Sequence, residues 1–206
     1  ERNSLVGSEM CIRDRYQFAY QLFDKFRTEG SNEKNNKLYE NYANTYPASS
    51  IIPFLNGRQI KSTSIRNGQK AFDLGGDSIS KLVKYHGKVV VLDFWASWCS
   101  SCITDVKYIK KIKEDLNMDN NVVFLSVSLD EKEEDWIKAI NKWDIMGTHI
   151  RLKGGFKSSV SKDYGIMGLP SYFIIDKNGL FFDVNPPRPR YNDGQDLLKV
   201  IQKAID

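Results

Sequence analysis

The amino-acid sequence predicts an α/β fold, a three-layer sandwich with a central mixed sheet and helices on both faces. Three observations predict it. Val89–Leu92 is an unbroken apolar run rich in β-branched residues, the mark of a strand buried on both faces. Beyond it, apolar residues fall at helical spacing (Val106, Ile109, Ile112, Leu116) before a second strand-like run, Val122–Ser128, so strand and helix alternate. Later, Asn178-Gly179 stands between two β-rich stretches, Ser171–Asp176 and Leu180–Val184, and signals an antiparallel hairpin.

The chain has 206 residues, enough for one domain plus an extension. Its net charge of +4 is mild and both signs are interspersed. No basic stripe with interleaved aromatics is present, which argues against a nucleic-acid partner. No stretch of about 18 apolar residues reads as a transmembrane span.

Taken in order, the first residues stand apart. Ser4–Asp14, SLVGSEMCIRD, closely resembles the frame translation of a transposon adaptor used to prepare sequencing libraries. Residues 1–14 are therefore expected to be a non-native tail and are set aside, as a tag would be. Cys11 then carries no functional weight, and the native N-terminus, with any signal peptide or lipid anchor, is expected to be missing. Residues 15–63 are expected to form a truncated helical extension. Tyr16, Ala19, Leu22, Phe23 and Phe26 share a helix face up to Gly30, and Leu38, Tyr42 and Tyr46 mark a second helix stopped by Pro47. The extension reads as a packing element rather than a docking module.

Residues 64–206 make the main domain. Ala71–Leu74, Gly75-Gly76-Asp77 and Ser78-Ile79 read as a short hairpin. His86 falls in the turn before Val89 and reads as a surface residue. Val122–Ser128 is expected to be a second buried parallel strand. Asp130 is a good N-cap for the next helix, with Glu131, Glu133 and Glu134 in its first turn and Trp136, Ile137, Ile140 and Trp143 on its apolar face. His149 follows, with no partner that sequence can name. Ser158–Tyr164 is a short helix, Pro186–Arg190 an extended, polyproline-like stretch, and Gln195–Ile205 a closing amphipathic helix with Leu197, Leu198, Ile201 and Ile205 facing inward.

The chemistry sits at the junction of the first strand and its helix, in Cys99-Ser100-Ser101-Cys102. A cysteine at a helix N-terminus faces unpaired backbone N–H groups and the positive end of the macrodipole, so its thiolate is stabilised. The second cysteine lies one turn on, on the same face, close enough to close a disulfide. A zinc site would need four ligands, and the remaining cysteine and two histidines are not at ligand spacing.

Phe94–Cys102, FWASWCSSC, resembles the active-site motif of thioredoxin-fold oxidoreductases. With the strand before it and Gly168-Leu169-Pro170 after it, the stretch 64–206 resembles the TlpA/ResA-like thiol–disulfide oxidoreductases of bacterial envelopes. The resemblance implies a thioredoxin-like sandwich, with Gly87-Lys88 leading into the first strand and a TlpA-like insertion at the helix after Asp130. It also implies roles. Cys99 is the nucleophile and Cys102 the resolving thiol. Asp93, six residues before Cys99, takes the place of a buried acid whose raised pKa lets it accept the Cys102 proton. Trp98 shields the site and contacts substrate, while Trp95 packs. Pro170 is the cis-proline that faces the cysteines and keeps metals away, and Leu169 presents its backbone to the substrate chain. Asp105 stands where ResA-like proteins carry a Glu, and its shorter side chain leaves surface and active-site roles both open. Residues 165–170 are also similar to a cytochrome c maturation branch, but Ser171 replaces that branch's acidic residue, which argues against a dedicated cytochrome role. Ser100-Ser101 replaces the usual Gly-Pro, a dipeptide that tunes the reduction potential.

The expected function is a reductase of protein disulfides in the cell envelope or periplasm, working through a mixed disulfide at the CxxC. No metal or organic cofactor is implied. The implied partners are an upstream thiol electron-donor protein and downstream disulfide-containing proteins, with membrane anchoring through the missing N-terminus. The alternatives are a peroxide reductase on the same fold, a non-catalytic binding module, and a cytoplasmic location. Peroxide chemistry calls for a threonine three residues before the nucleophile, where Ala96 stands; both cysteines of the motif argue against a non-catalytic module.

Overall fold

The computed structural model describes residues 33–47, 65–75, 81–116, 120–166 and 168–206, together with Phe18, Gln21, Leu22 and Lys25. The expected adaptor-derived tail and Cys11 lie outside the described residues, as do most of the first predicted helix and residues 76–80 of the predicted hairpin. The chain divides into two compact units, Glu1–Ser64 and Ile65–Asp206. Among the described residues no helix is long and apolar enough to cross a membrane.

In the first unit, Phe18, Gln21, Leu22 and Lys25 are helical, and helix α1 spans Glu33–Thr45. Helical spacing puts Leu38, Tyr39, Tyr42 and Tyr46 on adjoining faces. Leu22, Tyr39 and Tyr42 are buried together, and the rings of Phe18 and Tyr42 stack 5.8 Å apart. The helix ends two residues before Pro47, whose ring disfavours helical backbone at Tyr46.

The second unit is built on five strands: β1 (Val89–Trp95), β2 (Val122–Ser128), β3 (Thr148–Arg151), β4 (Ser171–Ile175) and β5 (Phe181–Asp183). Their order in the sheet is β3-β2-β1-β4-β5, with β1, β2 and β3 parallel and β4 antiparallel to both its neighbours, β1 and β5. Strand β1 is central, which is why both of its faces are apolar. Val90, Leu92 and Phe94 join a core with Leu125, Val127, Tyr164, Phe173 and Phe181. Val89 and Val91 join the other, beneath helices α2 (Ser100–Asp115) and α5 (Gln195–Ile205), with Ile112, Leu197 and Ile201 fully buried. Helix α3 (Glu133–Trp143) lies between β2 and β3, and the short α4 (Ser159–Asp163) precedes β4. The predicted α/β class, the thioredoxin-like mixed sheet and the hairpin at Asn178-Gly179 are all present.

Three local expectations are corrected. Ala71–Gly75 forms no strand. Instead, residues 68–71 hydrogen-bond the turn and start of β5: Gly68 N donates to Phe181 O at 2.7 Å, Phe181 N to Gln69 O at 2.8 Å, and Ala71 N to Gly179 O at 3.0 Å. The open edge of β5 thus takes up these backbone groups. Secondly, the N-cap of α3 is Lys132, not Asp130, because Asp130 is drawn into the interior. Thirdly, Ile137 and Trp143 are exposed; α3 turns Ala139 inward, with Trp136 and Ile140 half-buried beside it. Strand β3 has no counterpart in the sequence reading, since four residues are too few to show a period.

Candidate active site

Cys99 is the N-cap of α2, and it is disulfide-bonded to Cys102. The Cys102 backbone N–H donates to Cys99 Sγ at 3.2 Å, and Cys99 O accepts from Cys102 N at 3.0 Å and Ile103 N at 3.1 Å. The sulfur therefore occupies the place of a capping oxygen, where helix N–H groups favour negative charge. Ser101 Oγ lies 3.4 Å from the same sulfur. Cys99 is 7 % exposed and Cys102 4 % exposed, so access is confined to one side.

That side is marked by Trp98, which is 62 % exposed, and by Phe156, whose ring centroid is 6.3 Å away. Phe156 reaches this place because the chain passes close to β2 at Gly155. There φ is +49°, and a Cβ would come within 2.8 Å of Leu129 O. Trp95 is buried beneath the motif with Ala96 and Ala139, and Leu169 packs against the same cluster as the two cysteines. The Leu169–Pro170 peptide bond is cis. The structure thus brings Trp98, Cys99, Cys102 and Leu169-Pro170 to one end of the sheet.

The turn before Cys99 is held by a residue the sequence reading assigned elsewhere. Asp130 is buried and accepts from Ser97 N at 2.9 Å, Ser97 Oγ at 2.6 Å and Ser128 Oγ at 2.8 Å. An acid two residues after a buried strand, level with a turn that carries serine, was the signal available for it.

Asp93 lies on the α2 face of β1. In register it stands between Ser126 of β2 and Tyr172 of β4, and Ser126 is next to His149 of β3. Four polar residues thus cross the sheet in one row under α2. Among the described residues, Asp93 Oδ1 and His149 Nδ1 are buried without a hydrogen-bond partner. Burial pushes the Asp93 carboxyl up to about 7, helped by the charge of Asp105 and opposed by Lys113, Tyr172 and Arg188. Lys113 of α2 is pulled down to about 8 by burial, with Asp93 opposing the shift, and it donates to Met146 O. His149 is lowered, chiefly by burial.

Asp105 is no surface carboxylate. It is fully buried one turn beyond Cys102 and accepts from Arg188 Nη2 at 2.8 Å, Arg190 Nε at 2.7 Å and Tyr172 Oη at 3.2 Å. Arg190 Nη2 also donates to Ser101 O at 2.5 Å. The stretch 186–190, expected to be extended and polyproline-like, is therefore fastened to the active-site helix. His86 is exposed, as expected.

The chain is similar to known proteins. Residues 87–181 match the family described as thioredoxin-like. The chain is 29 % identical over 131 residues to the thioredoxin-like protein YneN of Bacillus subtilis, covering 61 % of this chain and 74 % of that one. It is 30 % identical over 107 residues to the thiol–disulfide oxidoreductase ResA of Bacillus thuringiensis, spanning 52 % of this chain and 59 % of ResA. A structure described as a thiol:disulfide interchange protein DsbE of Chlorobium tepidum superposes with a TM-score of 0.58 at 30 % identity, covering 69 % of this chain and all (100 %) of that one.

Proposed function

This chain belongs to the thioredoxin-like family of thiol–disulfide oxidoreductases, and on that premise we propose that it reduces protein disulfides in a bacterial cell envelope. One observation carries the reading: the sulfur that caps α2 is half of a disulfide, beside an exposed tryptophan and a cis X–Pro bond. The envelope placement is supported by the resemblance of the segment around α3 to the TlpA/ResA-like insertion.

The cycle starts from the oxidised form described here. A thiolate of an upstream donor protein attacks the Cys99–Cys102 bond, and the donor's second thiol resolves the mixed species. The donor leaves oxidised by two electrons, and this protein becomes a dithiol. Cys99, the thiolate at the helix N-terminus, then attacks one sulfur of a substrate disulfide. A mixed disulfide forms, and the other substrate sulfur departs and takes a proton. Cys102 gives its proton, through water, to the Asp93 carboxylate and attacks Cys99 Sγ. The second substrate sulfur leaves, the Cys99–Cys102 disulfide is restored, and two electrons have passed on. Asp93 suits this role because a carboxyl near pH 7 both accepts and returns a proton under neutral conditions. Trp98 and the Leu169 backbone flank the substrate chain.

Insulin reduction by a dithiol tests the assignment. Cys99→Ser is expected to abolish it, whereas Cys102→Ser is expected to accumulate the mixed disulfide. Full activity of Cys99→Ser refutes the nucleophile. The direction of electron flow is read from the reduction potential. A value near roughly −270 mV, as in thioredoxin, supports a reductase, and one near roughly −120 mV reverses the role to an oxidant.

A further inference from the structure

The carboxylate of Asp105 holds two guanidinium groups, and only one of them goes on to touch the motif. Arg188 is spent on Oδ2 through Nη2, and its buried Nε has no hydrogen-bond partner. Arg190 uses Nε for Oδ1 and turns Nη2 onto the carbonyl of Ser101, the residue between the cysteines and next to Cys102. The planar fork allows both bonds at once, which an ammonium could not do in the same pose. Two arginines and one carboxylate also leave the cluster with a net positive charge beside the first turn of α2. In the oxidised form the cysteine sulfurs are neutral, so this charge has nothing to act on. Reduction creates an anion at Cys99, and only then does the cation contribute.

We propose that Arg190, aimed by Asp105, is a positioning residue that stabilises the reduced, thiolate form of the Cys99–Cys102 couple through its hold on the Ser101 carbonyl. The inference rests on the disulfide exchange proposed above. The groups that face this cluster are Asp93 from β1, Tyr172 from β4 and Arg188 from its own segment. Arg190 is 30 % exposed on its side chain, so solvent screening keeps the effect moderate.

The test is equilibration of the full chain with reduced and oxidised glutathione, with the dithiol fraction read after trapping. Two glutathione thiols supply two electrons. One S–S bond breaks in the protein and one forms in oxidised glutathione; one proton ends on Cys102 and one in solvent. Arg190→Gln is expected to shift this equilibrium about fivefold toward the protein disulfide, and to raise the thiolate titration of Cys99, read by ultraviolet absorbance, by about 0.7 pH unit. Arg190→Lys keeps the charge but loses one of the two bonds, and is expected to shift it about twofold. Arg188→Gln removes a charge from the cluster but no contact with Ser101, and is expected to shift the equilibrium by well under twofold. If Arg190→Gln fails to fold, Arg190→Lys against Arg188→Gln decides. The proposal is overturned if the Arg190 variants match the parent while melting earlier, or if Arg188→Gln shifts the equilibrium as far as they do. Failure of the parent protein to exchange with glutathione at all instead sinks the oxidoreductase reading.

Discussion

Asp93 shows how a single side chain can be both a tool and a cost. Its carboxyl is raised from 3.8 to about 7, so the folded protein binds a proton more tightly than the unfolded chain does. The destabilisation is absent below the unfolded value, develops between about pH 4 and pH 7, and is complete above that. Asp93→Asn is therefore expected to be more stable than the parent at pH 8, on the order of 4 kcal/mol, with the gap closing toward pH 4 in denaturant titrations. The same variant is expected to resolve mixed disulfides more slowly. Equal stability of the two proteins at pH 8 would show that the carboxylate is not desolvated. Asp93 was legible in the sequence because a strand run and a motif fix its place and its burial. Asp105 was not, because its partners Arg188 and Arg190 are more than eighty residues away, and spacing along one helix cannot reveal a cation arriving from a distant loop.

Helix α2 is held at its start by elements on both sides. The β2 end supplies Asp130 to the turn at Ser97, and the segment after β5 supplies Arg190 to Ser101. Asp130→Ala leaves the Ser97 N–H and hydroxyl unpaired and is expected to cost about 2–3 kcal/mol in equilibrium unfolding, with loss of insulin reduction. Asp130→Asn, which retains an acceptor oxygen, is expected to recover most of the stability. Unchanged unfolding of the alanine variant would remove Asp130 from this role. The long elements of the second unit were readable because period and punctuation agree: β1, β2, the β4–β5 hairpin and α5 stand where pattern placed them. What escaped was set by tertiary demand. Asp130 has the chemistry of a helix cap, but a buried turn needed its oxygens more, so the cap moved to Lys132. Strand β3 owes its place to the free edge of β2 rather than to its own composition.

At the scale of the whole chain, every described core residue around the cysteines comes from Ile65 onward, while the first unit buries its aromatics against one another. A protein beginning at Ile65 is expected to fold and to keep the glutathione equilibrium of the full chain within about twofold, a ratio of less than about 10 mV. A larger change would tie the extension to the redox site. The distance along the chain from the motif to Arg188 and Arg190 also has a meaning in time. A ribosome releases Cys99 and Cys102 long before it reaches the arginines, which follow Asp105 by 83 and 85 positions. During that interval the nascent chain carries two free thiols with no guanidinium to govern them. The motif is therefore complete in sequence well before the cations that reach its helix are made.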